Sequence, residues 1–223
     1  MPTIVDRSCP TEKDLETTFA EIYNSKVWGQ SRASPFYSGV GSHHPNVVGP
    51  YVDAVRRFVS RIEKKLVAID LGCGDFNVGR NFCDLFRDYT ACDVVGDLIS
   101  WNKMYYRRLA VRFSQLDIVN NPLPPGDLVF LRQVLQHLSN ENISQVVKKL
   151  SDFRYMILTE HLPNASEYDV NVDKPSGSDI RPDYGSGVSL TEAPFFLNPE
   201  SQELLSDVSV NGGLIRTIAY KLR

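Results

Sequence analysis

The sequence predicts an α/β fold built on a doubly wound, mostly parallel seven-stranded sheet. Three observations predict it. Short apolar runs alternate with stretches of helical spacing, a glycine-rich turn follows the first run, and two apolar runs flank Asn211-Gly212-Gly213. Alternating strands and helices favour a parallel sheet, and an Asn-Gly turn favours an antiparallel hairpin. We expect an N-terminal helical lid, or cap segment, over residues 1–49 and one α/β domain over residues 50–223.

The composition argues against several classes of protein. Of the 223 residues, 42% are hydrophobic, and no apolar run reaches the roughly 18 residues of a membrane span. The net charge of −3 argues against a nucleic-acid binder, because such proteins carry a basic face. The four cysteines form no CxxC pair, so we expect reduced cysteines and no metal. The first residues lack the apolar segment of a signal peptide, which favours a cytoplasmic protein.

Two helices are predicted before the first strand. Helical spacing of apolar residues indicates one over residues 11–28, with Thr11 and Asp14 as possible caps. An apolar stripe indicates the second over residues 50–62, with a proline in its first turn. Glycines and prolines in residues 38–45 predict an irregular loop between the two helices.

This N-terminal loop carries candidate ligand contacts. Gly41 and Ser42 offer small hydrogen-bonding groups to a ligand carboxylate, and Tyr37 is a candidate substrate contact. His43 is a candidate general base. The adjacent histidines have no acidic or cysteine partner at a ligand spacing, so they do not indicate a metal site. An ordinary surface loop is the alternative interpretation.

The most informative stretch spans residues 66–93. A short apolar run is followed by Asp-Leu-Gly-Cys-Gly at residues 70–74, by helical spacing over residues 78–86, and by a second apolar run that ends at Asp93. Glycines let a ligand approach the backbone, and a helix that begins there presents free N–H groups. An acid at the end of the second strand is placed to bind both hydroxyls of a ribose. The unit therefore predicts a ligand that contains a nucleoside.

The spacing of the glycines favours a cationic ligand over a dinucleotide. The dinucleotide fingerprint G-x-G-x-x-G needs a third glycine, and Gly79 falls two residues late for it. Asp70 and Asp75 place two carboxylates around the loop, which disfavours a pyrophosphate. A nucleotide-sugar or NAD-dependent enzyme stays as the less favoured alternative.

The D-x-G-x-G pattern at residues 70–74, followed by Asp93, resembles the first motifs of class I S-adenosylmethionine-dependent methyltransferases, which have a Rossmann-like fold. The resemblance covers residues 50–223, with its specific motifs in residues 66–161. It implies S-adenosyl-L-methionine as the cofactor, with the loop under its amino-acid part and the acid on its ribose. The cofactor-binding residues that we expect are Asp70, Gly72, Cys73, Gly74, Asp93, Val94, Asp117, Ile118, Arg132, Gln133, Gly41 and Ser42.

The rest of the chain continues the alternating pattern. The predicted elements are a helix over residues 97–107, a strand over 111–116, a strand over 127–131, a helix over 142–150, a strand over 155–159, and hairpin strands over 203–210 and 214–222. In the resemblance, Asp117 takes the adenine amino group and Ile118 lies against the ring. Arg132 and Gln133 end the fourth strand, at the sheet edge where α/β proteins bind ligands.

Two further histidines are candidate bases. His161 follows the fifth strand, in a loop that we expect to project into the site. His137 lies one turn into a helix, where the resemblance often implies a structural role.

Residues 163–199 predict a long loop in place of the helix that the family usually has there. The segment is rich in Pro, Gly, Ser, Asn and Asp. A loop of this length inside a domain is usually functional or disordered. We interpret it as a substrate wall with Arg181 and Tyr184 as candidate substrate contacts, and a disordered insertion is the alternative.

The sequence therefore predicts an enzyme that transfers the methyl of S-adenosylmethionine to an oxygen or nitrogen of a small polar molecule, either a metabolite or a glycan. This acceptor is its one expected partner. The Asn-Pro-Pro-Tyr signature of many nucleic-acid N-methyltransferases is absent after the fourth strand. The non-enzymatic alternative is a degenerate methyltransferase-like protein that serves as a partner subunit.

Overall fold

The computed structural model describes residues 14–164 and 167–223, so the predicted cap Thr11 lies outside the described residues. The α-helices are α1 (Leu15–Asn24), α2 (Pro45–Ser60), α3 (Gly96–Tyr105) and α4 (Asn140–Val147). The strands are β1 (Val67–Leu71), β2 (Asp88–Asp93), β3 (Arg112–Gln115), β4 (Leu128–Arg132), β5 (Tyr155–Leu162), β6 (Asp169–Val170), β7 (Ser186–Gly187), β8 (Ser201–Val210) and β9 (Gly213–Lys221). Within the described ranges, no helix is both long and apolar enough to cross a membrane.

Seven strands form one sheet in the order β3-β2-β1-β4-β5-β9-β8. The first five are parallel, and β9 pairs antiparallel with both β5 and β8. This confirms the predicted Rossmann-like sheet with its C-terminal hairpin. The chain leaves β1 toward β2 and later returns to place β4 on the other side of β1. Open α/β sheets bind ligands beyond the carboxyl ends of their strands at such a reversal.

Apolar side chains cover both faces of the sheet. The central strands β1 and β4 are buried except for one end residue each, as expected for parallel strands between two layers. One face packs on an aromatic cluster that includes Phe76, Phe82, Phe86, Tyr89 and Phe130. The other face is mainly aliphatic and includes Ile69, Leu71, Val129, Leu131 and Leu135. Polar groups at the ends of these strands are therefore held on a rigid support.

One predicted helix is replaced by other structure. Residues 78–86 form two short 3₁₀ turns instead of an α-helix. The Asn81 side-chain amide donates to the carbonyls of Asn77 at 2.8 Å and Val78 at 3.0 Å, and such bonds compete with the helical ladder. Gly79 adds a residue of low helix propensity. The glycine loop therefore does not lead into the free N–H groups and dipole of an α-helix.

The second helix begins earlier than expected. α2 starts at Pro45, with His44 as its N-cap, and Pro50 lies inside it rather than at its first turn. The His44 Nδ1 atom accepts from the Asn46 N–H at 3.3 Å, and Pro45 has the backbone angle that a first helical turn needs. The first helix has the predicted Asp14 cap, whose carboxylate accepts from the Thr17 N–H at 2.9 Å.

The fifth strand is longer than predicted, which changes the position of His161. β5 runs to Leu162 because β9 pairs with it along its whole length, and His161 lies opposite Ile215. We expected His161 in a loop after the strand. Because the hairpin continues the ladder, its backbone is fixed within the sheet.

Residues 167–199 are tied down by side-chain hydrogen bonds. The Asn171 amide donates to the carbonyls of Ser189 and Ala193, both at 2.8 Å, and its oxygen accepts from the Ser189 N–H at 2.8 Å. β6 and β7 form a short parallel ladder in this segment. The described part of the predicted loop is therefore an internally bonded unit packed beside β5.

Candidate functional site

A cavity of about 500 Å³ lies at the carboxyl ends of β1 and β4. Residues from three parts of the chain line it: the strand ends with the glycine loop, the N-terminal segment from Leu15 to Ser42, and a short stretch from Ser178 to Asp183. All the residues that we expected to bind the cofactor are among its lining residues. The sequence motifs and the fold therefore converge on one site.

Two glycines in the loop cannot be replaced without a clash. Gly72 and Gly74 have φ angles of 73° and 54°, in the left-handed region that favours glycine. A Cβ at Gly72 would lie 2.4 Å from Val134, and one at Gly74 would lie 2.3 Å from the Ser38 hydroxyl. The loop is thus packed between the start of the segment after β4 and the N-terminal loop.

The N–H groups of the glycine loop are already bonded within the protein. The pairs are Gly72 and Cys73 with the Cys92 carbonyl at 2.8 Å each, Gly74 with the Asp93 carboxylate at 3.0 Å, Asp75 with the Ser38 hydroxyl at 2.9 Å, and Phe76 with the Cys73 carbonyl at 3.1 Å. A pyrophosphate site needs several free N–H groups directed at the ligand. This pattern argues against the NAD or nucleotide-sugar alternative.

Two buried aspartates lie beside the loop. Asp93 accepts from the N–H groups of Gly74 at 3.0 Å and Val95 at 3.1 Å, one on each oxygen. Asp70 accepts from the Tyr89 hydroxyl at 2.9 Å. Burial raises the pKa of Asp93 to about 6 and that of Asp70 to about 7. Both carboxylates retain lone pairs that favour a ligand bearing hydroxyl groups or positive charge.

A single cationic side chain faces these acids. Among the described residues, Arg132 is the one lysine or arginine that lines the cavity. It donates to the Gly41 carbonyl at 2.7 Å and to the Ser42 hydroxyl at 3.2 Å, and it lies 5.0 Å from the centre of the Tyr51 ring. Its buried Nε has no hydrogen-bond partner in the described part of the chain, and burial lowers the pKa of the guanidinium. Arg132 therefore connects the N-terminal loop to the site and keeps one donor for a ligand.

The residues that follow β3 line one edge of the cavity. The Asp117 carboxylate accepts from the N–H groups of Val119 at 2.8 Å and Asn120 at 3.1 Å, which fixes its direction. Ile118 is buried and lines the cavity. On the opposite edge, a Cβ at Gly41 would lie 2.7 Å from the Gln133 amide, so these two segments are in contact.

The three candidate bases have different environments. His137 lines the cavity, donates from Nδ1 to the Gly177 carbonyl at 3.2 Å, and accepts on Nε2 from the Gln136 amide at 3.2 Å. Burial, helped by the charge of Lys174, lowers the pKa of His137 to about 4. Both of its ring nitrogens are thus occupied, and its ring is neutral at pH 7.

His161 also lines the cavity, and its buried Nε2 has no hydrogen-bond partner among the described residues. Burial lowers the pKa of His161. His43 does not line the cavity. Its Nε2 lies 2.6 Å from the Asp75 carboxylate and its ring stacks on Tyr37 at 4.3 Å. Of the two histidines that line the cavity, His161 has an unbonded ring nitrogen, which is buried beside Gly213.

The three candidate substrate contacts lie away from the cavity lining. Tyr37 stacks on His43, and the exposed Tyr184 hydroxyl donates to Asp179 at 3.2 Å. Arg181 is fully buried and donates to the Leu138 carbonyl at 2.9 Å. The structure corrects the expectation for Arg181, because its guanidinium braces the 167–199 segment and does not face a substrate.

Sequence reasoning missed the aromatic cover of the cavity. Phe19, Tyr23 and Trp28 line it from the N-terminal side. The Trp28 ring lies 5.0 Å from the His137 ring, and its indole N–H donates to the Ser178 carbonyl at 3.5 Å. These partners are 150 residues apart, so no local pattern could have indicated the contact. The N-terminal segment and the segment after β5 therefore meet over the site.

The comparisons with known proteins agree with this geometry. A protein-family model described as a methyltransferase domain matches residues 69–152. A comparison with curated protein sequences finds no significant match. Among solved structures, a SAM-dependent methyltransferase from Leishmania major is 16% identical, with a TM-score of 0.62, and the match covers 89% of this chain and 82% of that one.

Two more solved structures have a similar fold. The N-methyltransferase NodS from Bradyrhizobium japonicum, in complex with S-adenosyl-L-homocysteine, is 12% identical with a TM-score of 0.58, and the match covers 81% of this chain and 90% of that one. Human N-acetylserotonin methyltransferase, in complex with SAM, is 14% identical with a TM-score of 0.58, over 94% of this chain and 60% of that one. Residues 69–152 therefore match a methyltransferase domain, and the chain has the fold of these S-adenosylmethionine-dependent methyltransferases.

Proposed function

We propose that the protein methylates an oxygen or nitrogen atom of a small polar metabolite or glycan that is neutral or positively charged. The observation that carries this proposal is the charge of the cavity lining, which holds a single guanidinium and six carboxylates: Asp70, Asp75, Asp93, Asp117, Asp179 and Asp183. Like charges brought together in a partly closed site repel strongly. Such a lining disfavours phosphates, carboxylates and nucleic acids as acceptors.

The residues present fit the cofactor. Asp93 would accept hydrogen bonds from the ribose hydroxyls, and the free donor of Arg132 would hold the amino-acid carboxylate. Asp70 would face the positive charge, while Asp117 and Ile118 would hold the adenine. S-adenosylmethionine supplies a methyl group on a positively charged sulfur, which a nucleophile displaces in line. The chain's own contribution is to orient the two reactants and to exclude water.

The size of the cavity supports a small acceptor. About 500 Å³ must hold the cofactor and the acceptor together, and ligand pockets for single small molecules are of about this size. The contact between Trp28 and Ser178 narrows the opening above His137.

We assign the proton-accepting role to His161 for acceptors that must lose a proton. Its ring is neutral at pH 7 because burial lowers its pKa, and its Nε2 is unbonded. The His137 ring lines the part of the cavity that we assign to the acceptor, and hydrogen bonds to Gln136 and Gly177 hold it in place. Asp183 lies close enough to favour the protonated form of His161 once it forms.

The test has a binding part and an acceptor part. Isothermal titration with S-adenosylhomocysteine should give a Kd of about micromolar, with no binding of NAD. The protein, with isotopically labelled S-adenosylmethionine, is then offered separate pools of amines, sugars, carboxylic acids and phosphate esters. We expect labelled product from the amine or sugar pool. Product confined to the acids or phosphate esters would contradict the proposed acceptor class.

Cofactor affinity should depend on pH. Asp93 and Asp70 have folded-state pKa values of about 6 and 7, so both lose protons as pH rises through this window. The sulfonium of S-adenosylmethionine is positively charged and binds ionised carboxylates better, so the affinity for S-adenosylmethionine should rise about tenfold between about pH 5.5 and 8. Titrations below pH 7 in buffers of different ionisation enthalpy should show proton release. Asp70→Asn should flatten the profile, and a flat wild-type profile would count against this arrangement.

A further inference from the structure

The peptide group between Gly74 and Asp75 is held at both ends. The Asn102 side-chain amide, from α3, donates to the Gly74 carbonyl at 2.8 Å. On the other end of the same peptide, the Asp75 N–H donates to the Ser38 hydroxyl at 2.9 Å. Because the carbonyl and N–H of a trans peptide point in opposite directions, these two bonds fix the plane of the peptide.

Asn102 is well placed for this role and has no other evident one. It is fully buried, it does not line the cavity, and its Oδ1 has no partner among the described residues. A buried amide oxygen without a partner lowers stability, so packing alone does not explain an amide here. A second side chain of this region, Tyr106, donates to the next carbonyl, that of Asp75, at 3.1 Å.

The loop needs such support because no α-helix continues it. Gly74 and Phe76 both have positive φ angles, of 54° and 59°. A positive φ is strained for a residue with a Cβ such as Phe76 and persists only where the surroundings hold it. In addition, a glycine peptide can rotate easily when nothing restrains it. The short 3₁₀ turns after the loop cannot supply this restraint.

We propose that Asn102 is a positioning residue that holds the Gly74–Asp75 peptide in one orientation. This restraint, called the lock below, couples the cofactor loop to the packing of the N-terminal loop over the site. If the peptide rotated, the Asp75 N–H would leave Ser38. The Gly74 backbone, whose own N–H belongs to the preceding peptide and donates to Asp93, would also lose a restraint. Asn102 thus acts on the ribose contact and on the cover through one peptide. This inference rests on the proposed cofactor placement.

The test is a double-mutant cycle with two readouts. Asn102→Leu keeps the branched shape but removes the donor, and Ser38→Ala removes the acceptor at the other end. We expect each to weaken S-adenosylhomocysteine binding about tenfold by calorimetry, and the double variant to lose little more, because either change frees the same peptide. In the unliganded protein, exchange of the Asp75 amide hydrogen should be at least about tenfold faster in Asn102→Leu. Tyr106→Phe, which removes a bond to a different peptide, should leave that exchange slow.

The outcomes separate the two proposals. Unchanged affinity and unchanged exchange of the Asp75 amide hydrogen in Asn102→Leu would overturn the lock. So would a double variant whose loss of affinity equals the product of the losses in the two single variants. If wild-type protein does not bind S-adenosylhomocysteine, the cofactor placement fails, while the exchange measurement still decides whether the lock exists. Asn102→Ala, which removes the donor without adding bulk, replaces Asn102→Leu should the latter not fold.

Discussion

Replacing Asp93 with alanine is expected to weaken S-adenosylhomocysteine binding between tenfold and about a hundredfold. A hydrogen bond to a charged group contributes about 1.5–3 kcal/mol, and each 1.4 kcal/mol is a factor of ten. Asp93 is 8% exposed, and its oxygens are oriented by the N–H groups of Gly74 and Val95. The substitution therefore removes the proposed ribose contact and also leaves the N–H groups of Gly74 and Val95 without their acceptor.

The matched control lies at the other end of the same strand. Asp88 begins β2 as Asp93 ends it, but Asp88 is exposed and pairs only loosely with Arg87 at 3.5 Å. Calorimetry on Asp88→Ala should give the wild-type affinity. Wild-type affinity in Asp93→Ala as well would show that the ribose is held elsewhere.

Arg181→Met is expected to lower the free energy of unfolding by at least about 1–3 kcal/mol, because a buried acceptor left without a donor costs about that much. The guanidinium is fully buried. It donates to the Leu138 carbonyl at 2.9 Å, to the Asn140 side chain at 2.8 Å and to the Val172 carbonyl. Methionine fills the space but leaves these three acceptors without a donor.

Urea unfolding followed by circular dichroism measures this loss. The control is Arg61→Met, which removes an exposed pair with Glu203 whose side chains are 53% and 50% exposed. Exposed pairs contribute about 0–1 kcal/mol, so this variant should unfold near the wild-type midpoint. Equal midpoints for the two variants would mean that Arg181 is not the brace of the 167–199 segment.

Local patterns predicted the fold, and the residues that they indicated for the cofactor line one cavity. The apolar runs, the glycine loop and Asp93 lie within thirty residues. The Asn211-Gly212-Gly213 turn and the apolar runs on either side of it predict a hairpin without reference to the rest of the chain. Such features depend on neighbours in the sequence. The element ends shifted by a few residues where tertiary pairing extended them, as β9 did for β5.

Contacts between distant parts of the chain were not predictable in the same way. Arg181 was read as a substrate contact because the sequence does not reveal that Leu138, 43 residues away, supplies its acceptor. Residues 78–86 do have helical spacing, but the Asn81 side-chain amide donates to the carbonyls of Asn77 and Val78, which would accept backbone N–H groups in an α-helix. His161 likewise changed its setting because the hairpin paired beyond Thr159.

The position of Trp28 makes the site observable without a label. The chain has two tryptophans, and Trp28 lies in the cavity cover with its ring 5.0 Å from His137, whereas Trp101 stacks on Tyr105 of α3 at 5.7 Å. A Trp101→Phe protein therefore carries one fluorophore, located where the two segments of the cover meet. Its emission is expected to change when a ligand enters the cavity, so that binding of the cofactor and of the acceptor can be followed separately by stopped-flow fluorescence.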